Sequence, residues 1–358
     1  MGCFETPLGA GPAHGQKVQQ MVLSKKKASS MPAPFADVQT VGLPRALLYY
    51  RYGALWKAFF EALGRTVVVD AASDRGVYEA GQFYSVDEVC LASKIYMGHV
   101  DALLKRDPAP DAIFIPCMAN TGINHRFCTK FHALPDMVSN TFYERRPRIL
   151  SFAVDVQDHG LEEEAGYLEL AASLGAGPKA AKAAWKAARR AQKSHDDQLA
   201  RAQERLLQAN KKLAHGERPL TILVAAHPYV GHDPYVGGPA VDALREMGAT
   251  VIFADECDHE RAYKKSFEFS ETMPWQVNRE LVGAILLLHE QVDGIVIMSA
   301  FPCGPDSMTN DAITRFIKGK PLLTLTIDAQ SGTAGMETRI ESFVDILRYQ
   351  KKGGYFHG

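Results

Sequence analysis

Six cysteines are spread through 358 residues, and four of them, Cys90, Cys117, Cys257 and Cys303, fall near predicted strand or helix ends, where an α/β chain keeps its chemistry. Cysteines this widely spaced in a chain this long do not make a disulfide scaffold. In a reducing compartment they are free thiols, metal ligands or nucleophiles. Pro116-Cys117 follows a predicted strand at 112–115, and Pro302-Cys303 follows one at 294–298. In open parallel sheets ligands bind beyond the carboxyl ends of the strands, so these two thiols are expected to converge on one cleft. Ser85-Val86-Asp87-Glu88 has the S-x-x-E form of a capping box, which predicts Cys90 in the opening turns of a helix. Backbone N–H groups at such a position favour a thiolate. Cys128 lies eleven residues after Cys117, and Cys257 follows a strand end at Ala254-Asp255. Cys257, taken alone, reads as an inert buried thiol. None of the six has the C-x-x-C spacing of a zinc ribbon or a ferredoxin, so spacing alone does not name a metal. His227 and His232, with Asp233 and Tyr235, occupy a strand-end loop parallel to Gly42–Arg45 and are expected at the cleft. His227 as a proton donor stands beside the plainer reading of a histidine held by local backbone bonds. Asp306 and Ser307 read as a helix cap.

The elements that must position these residues follow from periodicity. Strands are predicted at 38–41, 66–69, 112–115 and 148–154, alternating with helices at 45–63, 75–81, 86–105 and 135–144. A second series has strands at 221–225, 250–254, 294–298 and 322–327 and helices at 238–247, 274–291, 307–318 and 335–351. Strands alternating with helices give a parallel, doubly wound sheet covered on both faces. The expected organisation is a leader at 1–37, an N-terminal α/β domain at 38–160, a helical connector at 161–218 and a C-terminal α/β domain at 219–358. The leader is rich in Gly, Pro, Ser, Lys and Gln. Its start, Met1-Gly2-Cys3, fits a short acylation pattern, read as a chance match. The connector carries an Ala-rich run with Lys182, Lys186, Arg189, Arg190 and Lys193, read as a solvated face.

The two series repeat. Pro44 and Pro228 close their first strands, and Gly64 and Gly248 stand twenty residues further on. Asp111-Ala-Ile-Phe-Ile matches Asp293-Gly-Ile-Val-Ile, each running into a Pro-Cys pair. Lys and Arg total 40 against 41 Asp and Glu, a formal net charge of -1, which gives no general attraction to nucleic acid or an anionic membrane. No apolar run reaches the about 18 residues of a membrane span. Without a recognisable signal peptide, a cytoplasmic location is expected.

From Val41 to about Leu347 the chain resembles the 2-hydroxyacyl-CoA dehydratase superfamily, in its activase-associated branch. The resemblance lies in Gly42-Leu-Pro-Arg-Ala, Val89-Cys-Leu-Ala-Ser-Lys with Gly98-His99, Phe114-Ile-Pro-Cys117, His227-Pro-Tyr, Phe301-Pro-Cys-Gly-Pro-Asp-Ser307 and Leu323-Thr-Leu-Thr-Ile-Asp328. It implies two flavodoxin-like domains with an iron–sulfur cluster in the cleft between them. The cluster, a 4Fe-4S centre or a double cubane, is carried onto Cys90, Cys117 and Cys303, with Cys128 as a fourth ligand. It also implies a separate ATP-dependent activase or other low-potential electron donor, and an acyl thioester or small-molecule substrate; a homodimer is compatible with it. Ala92 and Thr129 stand where related chains carry proline, and Ala329-Gln330 where they carry Glu-His. No P-loop phosphate motif is present, so an ATP-driven electron would come from a partner. A redox enzyme subunit with an open iron is the first reading. A closed four-cysteine carrier or scaffold is the second, and a zinc or corrinoid module the third.

Overall fold

The computed structural model describes residues 33–157, 162–214, 218–328 and 333–353. The acylation pattern, most of the leader and Ala329-Gln330 lie outside them. The first series forms β1 (Thr40–Leu43), α1 (Tyr49–Ala62), β2 (Thr66–Val69), α2 (Arg75–Phe83), α3 (Leu91–Lys105), β3 (Ala112–Phe114), β4 (Cys117–Asn120), α4 (Thr129–Thr141), β5 (Ile149–Leu150) and β6 (Ala153–Asp155). Two helices follow, α5 (Glu163–Ser173) and the 35-residue α6 (Pro178–Lys212). The second series is β7 (Thr221–Ala226), α7 (Pro228–Gly231), α8 (Gly238–Glu246), β8 (Thr250–Phe253), α9 (His259–Lys265), α10 (Gln276–Leu288), β9 (Gly294–Ala300), α11 (Gly304–Phe316), β10 (Leu322–Ile327) and α12 (Thr333–Lys351).

Each series builds one four-stranded parallel sheet. The orders are β2-β1-β3-β5 and β8-β7-β9-β10, so the two halves share one flavodoxin-like arrangement. Every residue of β7 and β9 is buried, as central parallel strands covered on both faces require. The repeated aspartates do the same work in both halves. Asp111 accepts from the Gln39 and Thr40 amides, and Asp293 from the Thr221 amide, fixing the start of each central strand.

The helix that follows the second strand is set by one close crossing per half. A Cβ on Gly98 of α3 would lie 1.9 Å from the Val77 carbonyl oxygen of α2. On Gly283 of α10 it would lie 1.6 Å from the Ala262 carbonyl oxygen of α9. Only glycine lets the backbones approach this closely.

Two departures from expectation bear on the site. The helix expected from residue 86 begins at Leu91, so Cys90 is its N-cap and not a residue of its first turns. Residues 85–89 form a turn instead, and the capping box leaves the Ser85 hydroxyl buried without a hydrogen-bond partner. The strand before Pro116 ends at Phe114, but no loop or helix follows Pro116 at once. The chain resumes as β4, paired in parallel with β6, and Cys117 is its first residue.

A largely buried ionic group, centred on Glu280, joins the halves through the connector. Arg51 of α1 contacts Asp196 of α6 at 3.4 Å and Glu280 of α10 at 3.5 Å, and His259 contacts Glu280 at 3.1 Å. Burial would raise the Glu280 carboxyl, but Arg51 and His259 outweigh it and hold it down at about 2.

Gly98→Ala and Gly283→Ala should each cost about 2–3 kcal/mol or more, read by urea unfolding, because the added methyl meets backbone rather than a movable side chain. The stability that Glu280 contributes is present above its unfolded value of 4.5 and is lost as pH falls toward 2. Glu280→Gln should therefore flatten the pH dependence of stability across that window; an unchanged slope would contradict the charge network.

Candidate functional site

The connections of both sheets reverse at β1/β3 and β7/β9, and the site lies beyond their carboxyl ends. A pocket there holds about 480 Å³ of atom-free space, part of it continuous with solvent. Cys90, Cys128, Cys303, His227, Tyr229 and Trp275 are among its lining residues. Cys90, Cys128 and Cys303 share one local position: each is the N-cap of a helix, α3, α4 and α11 respectively. Three helix N-termini, with their outward N–H groups and positive dipole ends, thus face one cavity.

Cys117 is not among them. Its thiol donates to the His132 carbonyl at 3.1 Å, and its neighbour Pro116 lines an adjoining apolar cavity with Phe131 and Leu134. Cys257 is half-buried and does not line the thiol pocket. His232 pairs with Asp255 at 2.8 Å; burial would lower its ring, but Asp255 and Glu256 raise it overall. His227 does reach the cavity. Its Nδ1 meets the Tyr229 hydroxyl at 2.5 Å, and Nε2 lies 3.2 Å from Asp306 without hydrogen-bond alignment. At 4% exposure, His227 therefore presents a buried ring nitrogen with no hydrogen-bond partner. Asp306 is engaged by the Asn278 amide at 3.0 Å. Sequence reasoning missed Tyr229, Trp275, Arg126 and Lys130 as pocket residues; Tyr229, within the His227-Pro-Tyr stretch, was the one with a signal.

Burial, then Asp306, push the Cys303 thiol far up. Burial likewise raises Cys117 to about 11 and Cys257 to about 12, with nearby carboxylates adding to it. Nucleophilic cysteines need the opposite shift. Burial, then Asp306, Cys303, Cys90 and Cys128, also raise the Tyr229 hydroxyl. Among the described residues no three His, Cys, Asp or Glu side chains are grouped as ligands of a metal ion. A single ion gathers its ligands to one point, whereas a cubane spreads its thiolates over separate corners.

Beside the pocket, a buried polar chain crosses between the halves. His99 Nδ1 bonds Asp70, His99 Nε2 lies 2.9 Å from Ser73 Oγ, and Ser73 bonds Asp233 of the second half. Tyr50 donates to the same Asp233 oxygen at 3.1 Å, and the other oxygen accepts from the Tyr235 and Val236 amides. Ser73 has one hydroxyl proton and stands between His99 and Asp233, so it links the two halves through a single side chain.

Two doubly wound halves with a thiol-lined cavity at their switch points define the class: an α/β protein of two flavodoxin-like halves. Residues 40–257, more than half of the chain, match the CoA enzyme activase uncharacterised domain (DUF2229), and the chain belongs to that family. No curated protein matches the sequence. Among solved structures, a mutant, Mn-bound periplasmic metal binding protein from Candidatus Liberibacter asiaticus is similar at 12% identity, covering 88% of this chain and 100% of that one, with a TM-score of 0.21. Glucosamine-6-phosphate deaminase from Thermotoga maritima is similar at 10% identity, covering 87% and 85%, with a TM-score of 0.22. At these scores neither bears on the site. No helix among the described residues is long and apolar enough to cross a membrane.

Ser73→Ala should destabilise the protein by about 1–3 kcal/mol, since it strands buried groups on both sides. Asp233→Asn should be tolerated, because the amide can donate to Ser73 and Tyr50 while its oxygen keeps the two backbone bonds. Urea unfolding that ranks Asp233→Asn below Ser73→Ala would contradict this bonding pattern.

Proposed function

We propose that this chain is an iron–sulfur redox protein that works with a separate ATP-dependent activase, its cluster held by Cys90, Cys128 and Cys303. The observation that carries the reading is that these three cysteines cap three helices around one cavity. Family membership supports the activase connection. Cys117, which the Pro-Cys repeat favoured, gives up its place in the ligand set to Cys128.

A 4Fe-4S cluster with three cysteine ligands supplies a one-electron centre and one iron without a protein thiolate. The rest belongs to the chain. The helix N-termini, with Arg126 and Lys130 on the pocket wall, surround an anionic centre with positive potential. His227, oriented by Tyr229, lines the cavity with its Nε2 3.2 Å from Asp306. The aromatic and apolar lining of Phe127, Phe131, Trp275 and Val277 limits water. Such a site suits one-electron reduction of a small acyl thioester or related compound. A closed carrier would need a fourth thiolate at the pocket, and Cys117 does not line it.

Anaerobically reconstituted protein should bind about four irons and four sulfides per chain. Cys90→Ala, Cys128→Ala and Cys303→Ala should each abolish the visible absorption, while Cys117→Ala and Cys257→Ala retain it. Zinc in place of iron, or a cluster that survives Cys128→Ala but not Cys117→Ala, would overturn the assignment.

A further inference from the structure

The cavity has a hidden two-fold regularity. Gly98 and Gly283 are 185 positions apart, as are Val77 and Ala262, the residues they meet across the two helix crossings. α3 and α10 are therefore counterparts, each lying between the second and third strands of its sheet. Applying the same offset to Cys90, the N-cap of α3, gives Trp275, the N-cap of α10. The helices after the third strands, α4 and α11, begin at Cys128 and Cys303, 175 positions apart.

The contacts between these helix starts obey the same operation. The Leu91 amide, just after Cys90, donates to the Phe301 carbonyl, two residues before Cys303, at 2.9 Å. The Gln276 amide, just after Trp275, donates to the Arg126 carbonyl, two residues before Cys128, also at 2.9 Å. Four equivalent N-cap positions thus surround the pocket as two crossed pairs, Cys90 with Cys303 and Trp275 with Cys128. All four residues line it.

We propose that Trp275 occupies the fourth ligand position of this site, and that its indole, standing where symmetry calls for a thiolate, keeps one corner open for a small exogenous anion. The proposal rests on the cluster reading above. An indole has one N–H donor and no ligating lone pair, so it cannot coordinate iron as cysteine does. The class of ligand follows from the surroundings: Arg126 and Lys130 line the pocket and make no ion pair among the described residues. The half of the site built from α4 and α10 is the one that departs from the repeat, and it is where Arg126, Lys130 and Trp275 come together.

The test is Trp275→Cys. In the wild type, mild oxidation should release about one iron of four, and cyanide should alter the electron paramagnetic resonance signal of the reduced cluster. Trp275→Cys should retain all four irons and ignore cyanide, while Trp275→Ala should behave as wild type. Four stable irons and cyanide insensitivity in the wild type itself, or a Trp275→Cys protein that still loses one iron, would overturn the proposal. The geometry is tested separately in metal-free protein with dibromobimane. The reagent should bridge Cys90 to Cys303 in the wild type, and Trp275→Cys should add a second bridge, from Cys128 to the introduced thiol. If iron is never bound but both bridges form, the cluster reading fails and the four-position site stands. If the second bridge is absent, the four-position site fails.

Discussion

Two backbone hydrogen bonds tie together the walls of the cysteine-lined pocket. Leu91 to Phe301 and Gln276 to Arg126 each tie the start of a helix in one half to the approach to a helix in the other. Backbone amides at a helix start have no partner within the helix, so they are free to make such links. By using them, the chain sets four helix N-termini at fixed positions around one cavity. The side chains placed there, three cysteines and one tryptophan, have their spacing decided by the backbone before any ligand arrives. The glycine crossings at Gly98 and Gly283 serve the same end, since each sets the axis of a helix whose cap faces the pocket.

The polar chain from Asp70 through His99 and Ser73 to Asp233 adds a second tie. It runs from the helix that begins at Cys90 to the loop that follows His227 and Tyr229. The Arg51–Glu280 contact adds a third, reaching α10 some five residues past Trp275. Charges buried this way are costly unless every one is paired, so each half supplies groups that the other must match.

Much of the fold was legible from periodicity. β2 and β10 fall at their expected residues, and both sheets adopt the parallel order that the β/α alternation implied. The internal repeat was also legible through Asp111 and Asp293, which cap equivalent strands. It misled at the cysteines. Pro116-Cys117 and Pro302-Cys303 match in sequence, but the first continues as a strand and the second starts a helix. The extra segment from Cys117 to Arg126 displaces the helix start, so the structural counterpart of Cys303 is Cys128. Insertion length is visible in a sequence, but which residue then caps the helix depends on the β4–β6 pairing, a contact between distant segments. Trp275 was invisible for the same reason. Nothing local marks a tryptophan as the partner of a cysteine 185 residues earlier.

Anomalous diffraction at the iron edge from anaerobically grown crystals tests the central claim most directly, because it locates metal without reference to activity. The account predicts one iron peak in the pocket among Cys90, Cys128 and Cys303, with Trp275 at its remaining side. A peak beside Cys117, or an iron-replete protein with no peak in this pocket, would contradict it.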